Sequence, residues 1–136
     1  MNQPKGIDII FRASQYNFNA TYFHEICDGR NDTLVILRND YGKTIGGFTH
    51  YPWKSHQTGE AVCDSGRKSF LFSLDTMEKY VPQSDDNLIF CHAKYGPTFG
   101  KGNDLYIADS CWSNNLSYTN FPSTYNREGE TKWELN

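Results

Sequence analysis

The chain has 136 residues, of which 38% are hydrophobic and 15% aromatic, with nine Phe, nine Tyr and three Trp. That length holds one core, and the rings restore burial area that the small aliphatic share withholds. The net charge is -3, from 13 basic and 16 acidic residues scattered along the chain, so there is no basic stripe to neutralise a phosphate backbone and nucleic acid is not an expected partner.

The opening MNQPKGIDII is polar for six residues and only briefly apolar, which supplies no signal-peptide core. No apolar run approaches the roughly 20 residues of a membrane span, so a cytoplasmic protein is expected. Ile7 to Arg12 alternates with the period of a strand. Asn19 to Cys27 is the best helix, with Asn19 as N-cap and Gly29 as stop; Tyr22, Phe23, Ile26 and Cys27 form its apolar side, and Thr21, His24 and Glu25 its polar side. Thr33 to Arg38 is apolar on both alternating faces, which predicts a strand inside a sheet. Asn39 to Gly42 is a turn, and Lys43 to Thr49 returns as the second arm of a hairpin, with Gly46 and Gly47 costly unless close packing needs them.

Residues 50 to 68 read as a long surface loop anchored by Tyr51 and Trp53. Strands are predicted at Ser69 to Leu74, Asn87 to His92 and, after the loop from Gly96 to Gly102, Asp104 to Ala108. Short strands punctuated by Gly, Asn and Pro imply an antiparallel sandwich with a small helical supplement. Residues 1 to 125 are assigned to one domain. Residues 126 to 136 are assigned to a polar tail or an incomplete final strand.

Cys27, Cys63, Cys91 and Cys111 contain no C-x-x-C pair, and free thiols are expected in a reducing compartment. Cys27 and Cys91 fall on buried patterns. Cys63 and Cys111 are the two expected to be accessible to oxidants. Asn19, Asn31 and Asn115 begin glycosylation sequons, which matter only in a secreted chain.

Gly96 to Gly102 fails as a phosphate loop, because only three residues separate Gly96 from the Gly100-Lys101 pair and Gly102 follows Lys101 where Ser or Thr is needed. His24 with Cys27, and Cys91 with His92, point to different faces of their elements and make poor metal pairs. Asp85-Asp86 and Glu128-Glu130 read as solvated charges. A Cys/His hydrolase stays open, but no spacing selects a pair.

The ordered segments resemble the TLDc family, which includes the oxidation-resistance proteins. The resemblance is carried by FRAS at 11 to 14, FHEICDG at 23 to 29, TLVILRNDYGKTIGGFT at 33 to 49 with Trp53 after it, FLFSL at 70 to 74, YGPTFGKGNDLYIAD at 95 to 109 and SYTNFPSTY at 117 to 125. It implies a mainly β fold: two antiparallel sheets packed as a sandwich and flanked by short helices. Gly46 and Gly47 would allow close strand packing, while Gly100 and Gly102 would shape the loop before DLYIA. The closing NREGETKWELN matches the family's final strand poorly.

The resemblance further implies a non-catalytic protein-interaction module, associated with oxidative-stress protection and with binding the vacuolar proton-pumping ATPase. No catalytic residue, metal or cofactor is expected. Docking is expected through the glycine loop 96 to 103 and adjoining aromatics, with Tyr95, Thr98, Phe99, Lys101, Asn103 and Trp53 as contact residues. Two other readings stay open: a ligand-binding or hydrolytic sandwich with Tyr51, Trp53 and Trp112 lining a cleft, and a structural subunit of a larger assembly.

Overall fold

The computed structural model describes residues 6–101, 104–111, 117–119 and 124–128. In chain order it contains a 3₁₀ turn (Ala13–Tyr16), helix α1 (Ala20–Cys27) and ten strands: β1 (Thr33–Arg38), β2 (Thr44–Thr49), β3 (Glu60–Val62), β4 (Ser69–Ser73), β5 (Glu78–Pro82), β6 (Ile89–Cys91), β7 (Thr98–Phe99), β8 (Leu105–Tyr106), β9 (Tyr118–Thr119) and β10 (Tyr125–Arg127). They form two sheets, ordered β1-β2-β4-β5-β10 and β3-β6-β7-β8-β9. Every strand pairing is antiparallel. This is the mainly β, two-sheet architecture that the sequence predicts.

Helix α1 forms where its local chemistry favours it. The Asn19 side chain accepts from the Thr21 N–H at 2.8 Å, and the Asp109 carboxylate accepts from the Ala20 N–H at 2.7 Å, so two of the first-turn donors are satisfied. Phe23 and Cys27 face the core. Gly29, at φ +79°, lets the chain leave in a conformation other residues resist.

The β1–β2 hairpin turns where Asn39 to Gly42 predict it, and Gly42 takes φ +77°. Between the sheets lie Trp53, Leu71, Ile89, Phe99, Leu105 and Tyr125, all essentially inaccessible. Gly47 makes this contact possible: a Cβ there would come within 2.7 Å of the Phe99 ring and 2.8 Å of Leu71 Cδ2. The second sheet's Phe99 thus rests on bare backbone of the first.

Several expectations are corrected. Ile7 to Arg12 is irregular, and its alternation finds no partner strand among the described residues; Phe11 instead stacks on Tyr16 and meets Phe23 edge-on. β1 is a sheet edge, not an interior strand: Val35 and Leu37 pack inward while Leu34 and Ile36 face solvent. The loop 50 to 68 contains β3. The boundary placed after residue 125 falls within β10, which pairs with β5 from Tyr125 opposite Pro82 to Arg127 opposite Tyr80. No helix among the described residues is long and apolar enough to cross a membrane.

Candidate functional site

Three places bring polar or exposed apolar groups together. The first lies where the C-terminal end of α1 meets the loops at 53–55 and 92–95. Trp53 bridges to Asp28, and its carbonyl accepts from the Gly29 N–H at 3.0 Å, which fixes the 53–55 loop against the helix end.

His24 is only 5% exposed there. Its Nδ1 lies 2.7 Å from Asp28 Oδ1, and its Nε2 lies 2.8 Å from both the His92 and the Tyr95 carbonyl oxygens. Three polar groups thus converge on one ring. The second Asp28 oxygen accepts from Ser55 Oγ at 2.5 Å.

The expectation that His24 sits on the solvated face of the helix is therefore wrong. The 92–95 segment covers it, which no helical period reveals. Its spacing of four residues from Asp28 at a helix end is the one sequence signal that marks the pair.

The order of contacts matters chemically. In a Ser–His–Asp relay the hydroxyl bonds to an imidazole nitrogen, but Ser55 bonds to the carboxylate and both imidazole nitrogens are occupied elsewhere. The order is therefore not that of such a relay. The group works as a clasp joining three segments.

Beside it, His92 stacks on Tyr95 with centroids 4.2 Å apart, and Tyr95 meets Tyr106 edge-on. His92 Nδ1 accepts from the Lys94 N–H. Burial, followed by the nearby charges of Lys94, His24 and His56, pushes the His92 pKa down.

The second place is the glycine loop. Thr98 and Phe99 form β7 and are fully buried, and Trp53 is core, with its indole N–H donating to Thr33 Oγ1 at 3.0 Å. These three residues present nothing to a partner. Tyr95 is half-buried and Lys101 exposed; Gly102 and Asn103 lie outside the described residues.

Sequence reasoning missed the residue that organises this loop, Asp104. Its buried carboxylate accepts from the Thr124 N–H at 3.1 Å and the Tyr125 N–H at 3.0 Å, while Tyr125 Oη donates to the Leu88 carbonyl at 2.6 Å. Gly100 takes φ +88°, and a Cβ there would overlap the Asp104 carboxylate. The loop is a rivet between the two sheets.

The cleft of Tyr51, Trp53 and Trp112 loses Trp53 to the core; Tyr51 donates its hydroxyl to Asp64 and accepts from the Lys68 N–H, and Trp112 lies outside the described residues. Cys27 and Cys91 are buried, and burial raises each thiol to about 11. Cys63 is exposed, and burial also raises Cys111. Among the described residues, no three metal-ligating side chains converge.

The third place is the outer face of the first sheet. Across β1, β2 and β4, Leu34 lies opposite Phe48 and Phe48 opposite Phe70; one step along, Ile36 lies opposite Gly46 and Gly46 opposite Phe72. The Phe72 ring covers Gly46, where a Cβ would meet it at 2.6 Å. Phe48 and Phe70 stack at 5.3 Å, and Lys79 Nζ sits 4.7 Å above the Phe70 ring. Arg67, Lys68 and Lys79 rim the groove beside Phe48, Phe70 and Val81.

The architecture is thus a two-sheet antiparallel sandwich with a helix clasped to one end and an apolar outer sheet face. A family model described as TLDc domain matches residues 2–134, nearly the whole chain. The chain belongs to the TLDc family. No match is found among curated proteins or among solved structures.

Proposed function

We propose that this chain is a non-catalytic interaction module that docks on a large protein partner through the outer face of its first sheet. The observation that carries this reading is the row of Leu34, Ile36, Phe48, Phe70 and Phe72 on the sheet's outer face, where Leu34 and Ile36 are exposed and the three rings half-buried. Contiguous apolar surface on a sheet is costly to leave in water, and it marks interaction sites. The commitment of His24, Asp28 and Ser55 to one another supports a binding rather than a catalytic role.

The partner proposed is the peripheral part of the vacuolar proton-pumping ATPase, with oxidative-stress protection as the physiological setting; both come from the family's associations. The glycine loop serves this surface indirectly, by fixing the sheet that carries it.

Affinity purification from cells of the source, under conditions that keep the pump assembled, tests the reading. Wild-type protein should recover peripheral ATPase subunits, and Phe48→Glu, checked for its fold by circular dichroism, should lose most of them. Recovery of no subunit by the wild type would remove this partner. Equal recovery by the variant would remove this surface.

A further inference from the structure

The groove on the outer face of the first sheet carries a charge pattern that narrows what can enter it. Its floor is Phe48, Phe70, Val81 and Pro82, and it encloses about 320 Å³. Three cations, Arg67, Lys68 and Lys79, stand around that floor, and no acidic side chain lines it. The chain as a whole has more acid than base, at net charge -3, so this is a local concentration of the minority charge.

The sheet itself places these cations. Lys79 lies opposite Phe72 in the pairing of β4 with β5, so it shares the outer face with Phe70 and Phe72, and its Nζ sits 4.7 Å above the Phe70 ring. Arg67 and Lys68 come just before β4, whose first outward ring is Phe70.

Each cation keeps capacity for a further carboxylate. Lys68 is exposed and makes no ion pair among the described residues. Lys79 Nζ is 3.9 Å from Glu128 Oε2, a distant contact. Arg67 gives its Nε to Asp85 at 2.6 Å, and its other guanidinium nitrogens bond to no described residue. Both pairs lie at the surface, where such contacts are weak and exchange readily with water.

We propose that the groove receives an acidic segment of the partner, with an aromatic or branched side chain on the phenylalanine floor and flanking carboxylates on Arg67, Lys68 and Lys79. This rests on the docking function proposed above and specifies its chemistry. A basic segment is repelled by the rim, and an uncharged one strips water from three cations without replacing it.

An anionic bilayer offers the same sign of charge but fits less well. Three cations attract it only weakly, and the rest of a chain at net charge -3 is repelled by it.

Panning a phage-displayed library of random peptides on the full chain tests the proposal. Enriched peptides should carry aspartate or glutamate on both sides of an aromatic or branched residue. Fluorescein-labelled copies, titrated by fluorescence anisotropy at low salt, should bind Lys68→Glu at least about tenfold more weakly than the wild type. Lys94→Glu changes the net charge equally but lies on the loop after β6, and it should leave binding within about twofold. Circular dichroism checks the fold of both variants.

Enrichment of neutral or basic peptides overturns the proposal, as does no enrichment at all. So does equal weakening by Lys68→Glu and Lys94→Glu, which would make the effect one of net charge. Vesicles of phosphatidylserine and phosphatidylcholine that sediment the chain as tightly as the peptides bind it assign the cations to a lipid surface and also overturn it. The two proposals fail separately. ATPase recovery lost in Phe48→Glu but kept in Lys68→Glu removes the acidic segment and leaves the docking surface, whereas peptide binding by a chain that recovers no ATPase removes only that partner.

Discussion

Replacing His24 by alanine isolates the clasp that binds α1 to both neighbouring loops. The ring's three polar contacts lie at 2.7 to 2.8 Å, and one is to a carboxylate. His24→Ala removes all three and leaves the part-buried His92 and Tyr95 carbonyls without their ring partner, at about 1 kcal/mol per lost bond. The expected loss is about 3 kcal/mol, or about 10 °C in melting temperature for a chain of this length.

Urea unfolding followed by tryptophan fluorescence reads the loss, because Trp53 lies in the core with Phe23, at 5.6 Å between ring centroids. Ser55→Ala is the control. Ser55 is exposed, so water replaces its hydroxyl on Asp28 and the cost stays under about 1 kcal/mol. A His24→Ala loss as small as that of Ser55→Ala would refute the clasp, since a ring without structural work would have been removed.

Three further outcomes follow from the geometry. Gly100→Ala should cost at least about 3 kcal/mol in urea unfolding, because its backbone is left-handed and its new methyl meets the Asp104 carboxylate. A disulfide reagent at pH 8 should label Cys63 first and Cys111 more slowly, with Cys27 and Cys91 reacting only on unfolding, since their burial keeps them as thiols. The depressed pKa of His92 means that the folded chain disfavours its charged form; its contribution to stability is full above the unfolded value of about 6.5 and falls as pH drops through the folded value. His92→Gln should therefore flatten the loss of melting temperature between about pH 7 and pH 5, and an unchanged slope would contradict that assignment.

The parts of the fold that are legible in the sequence rest on local causes. Helix α1 carries its own cap and apolar stripe, and the β1–β2 hairpin its own turn residues, so both elements appear where expected. β5 was invisible because EKYVP mixes charge with a proline, and it becomes a strand only by pairing with β4 and β10. β1 has apolar residues on both faces, yet only Val35 and Leu37 find the core; such a pattern cannot distinguish a covered face from a bare one.

The site was less legible for the same reason. Trp53, Thr98 and Phe99 looked available from a glycine-rich surface loop, but the loop turns them inward across Gly47. His24 and Asp104 depend on segments tens of residues away, at positions 92–95 and 124–125.

The first sheet begins with β1 and is finished by β10, whose backbone is held by Asp104 from the loop that precedes β8. During synthesis this sheet cannot be completed until residue 127 has left the ribosomal tunnel. Until then the growing chain carries TLVILR and FLFSL in a sheet without its last strand, the kind of exposed edge that makes incomplete chains prone to aggregate. Completion of the sheet thereby waits for residues 124–127, a timing set by where one carboxylate finds its two amides.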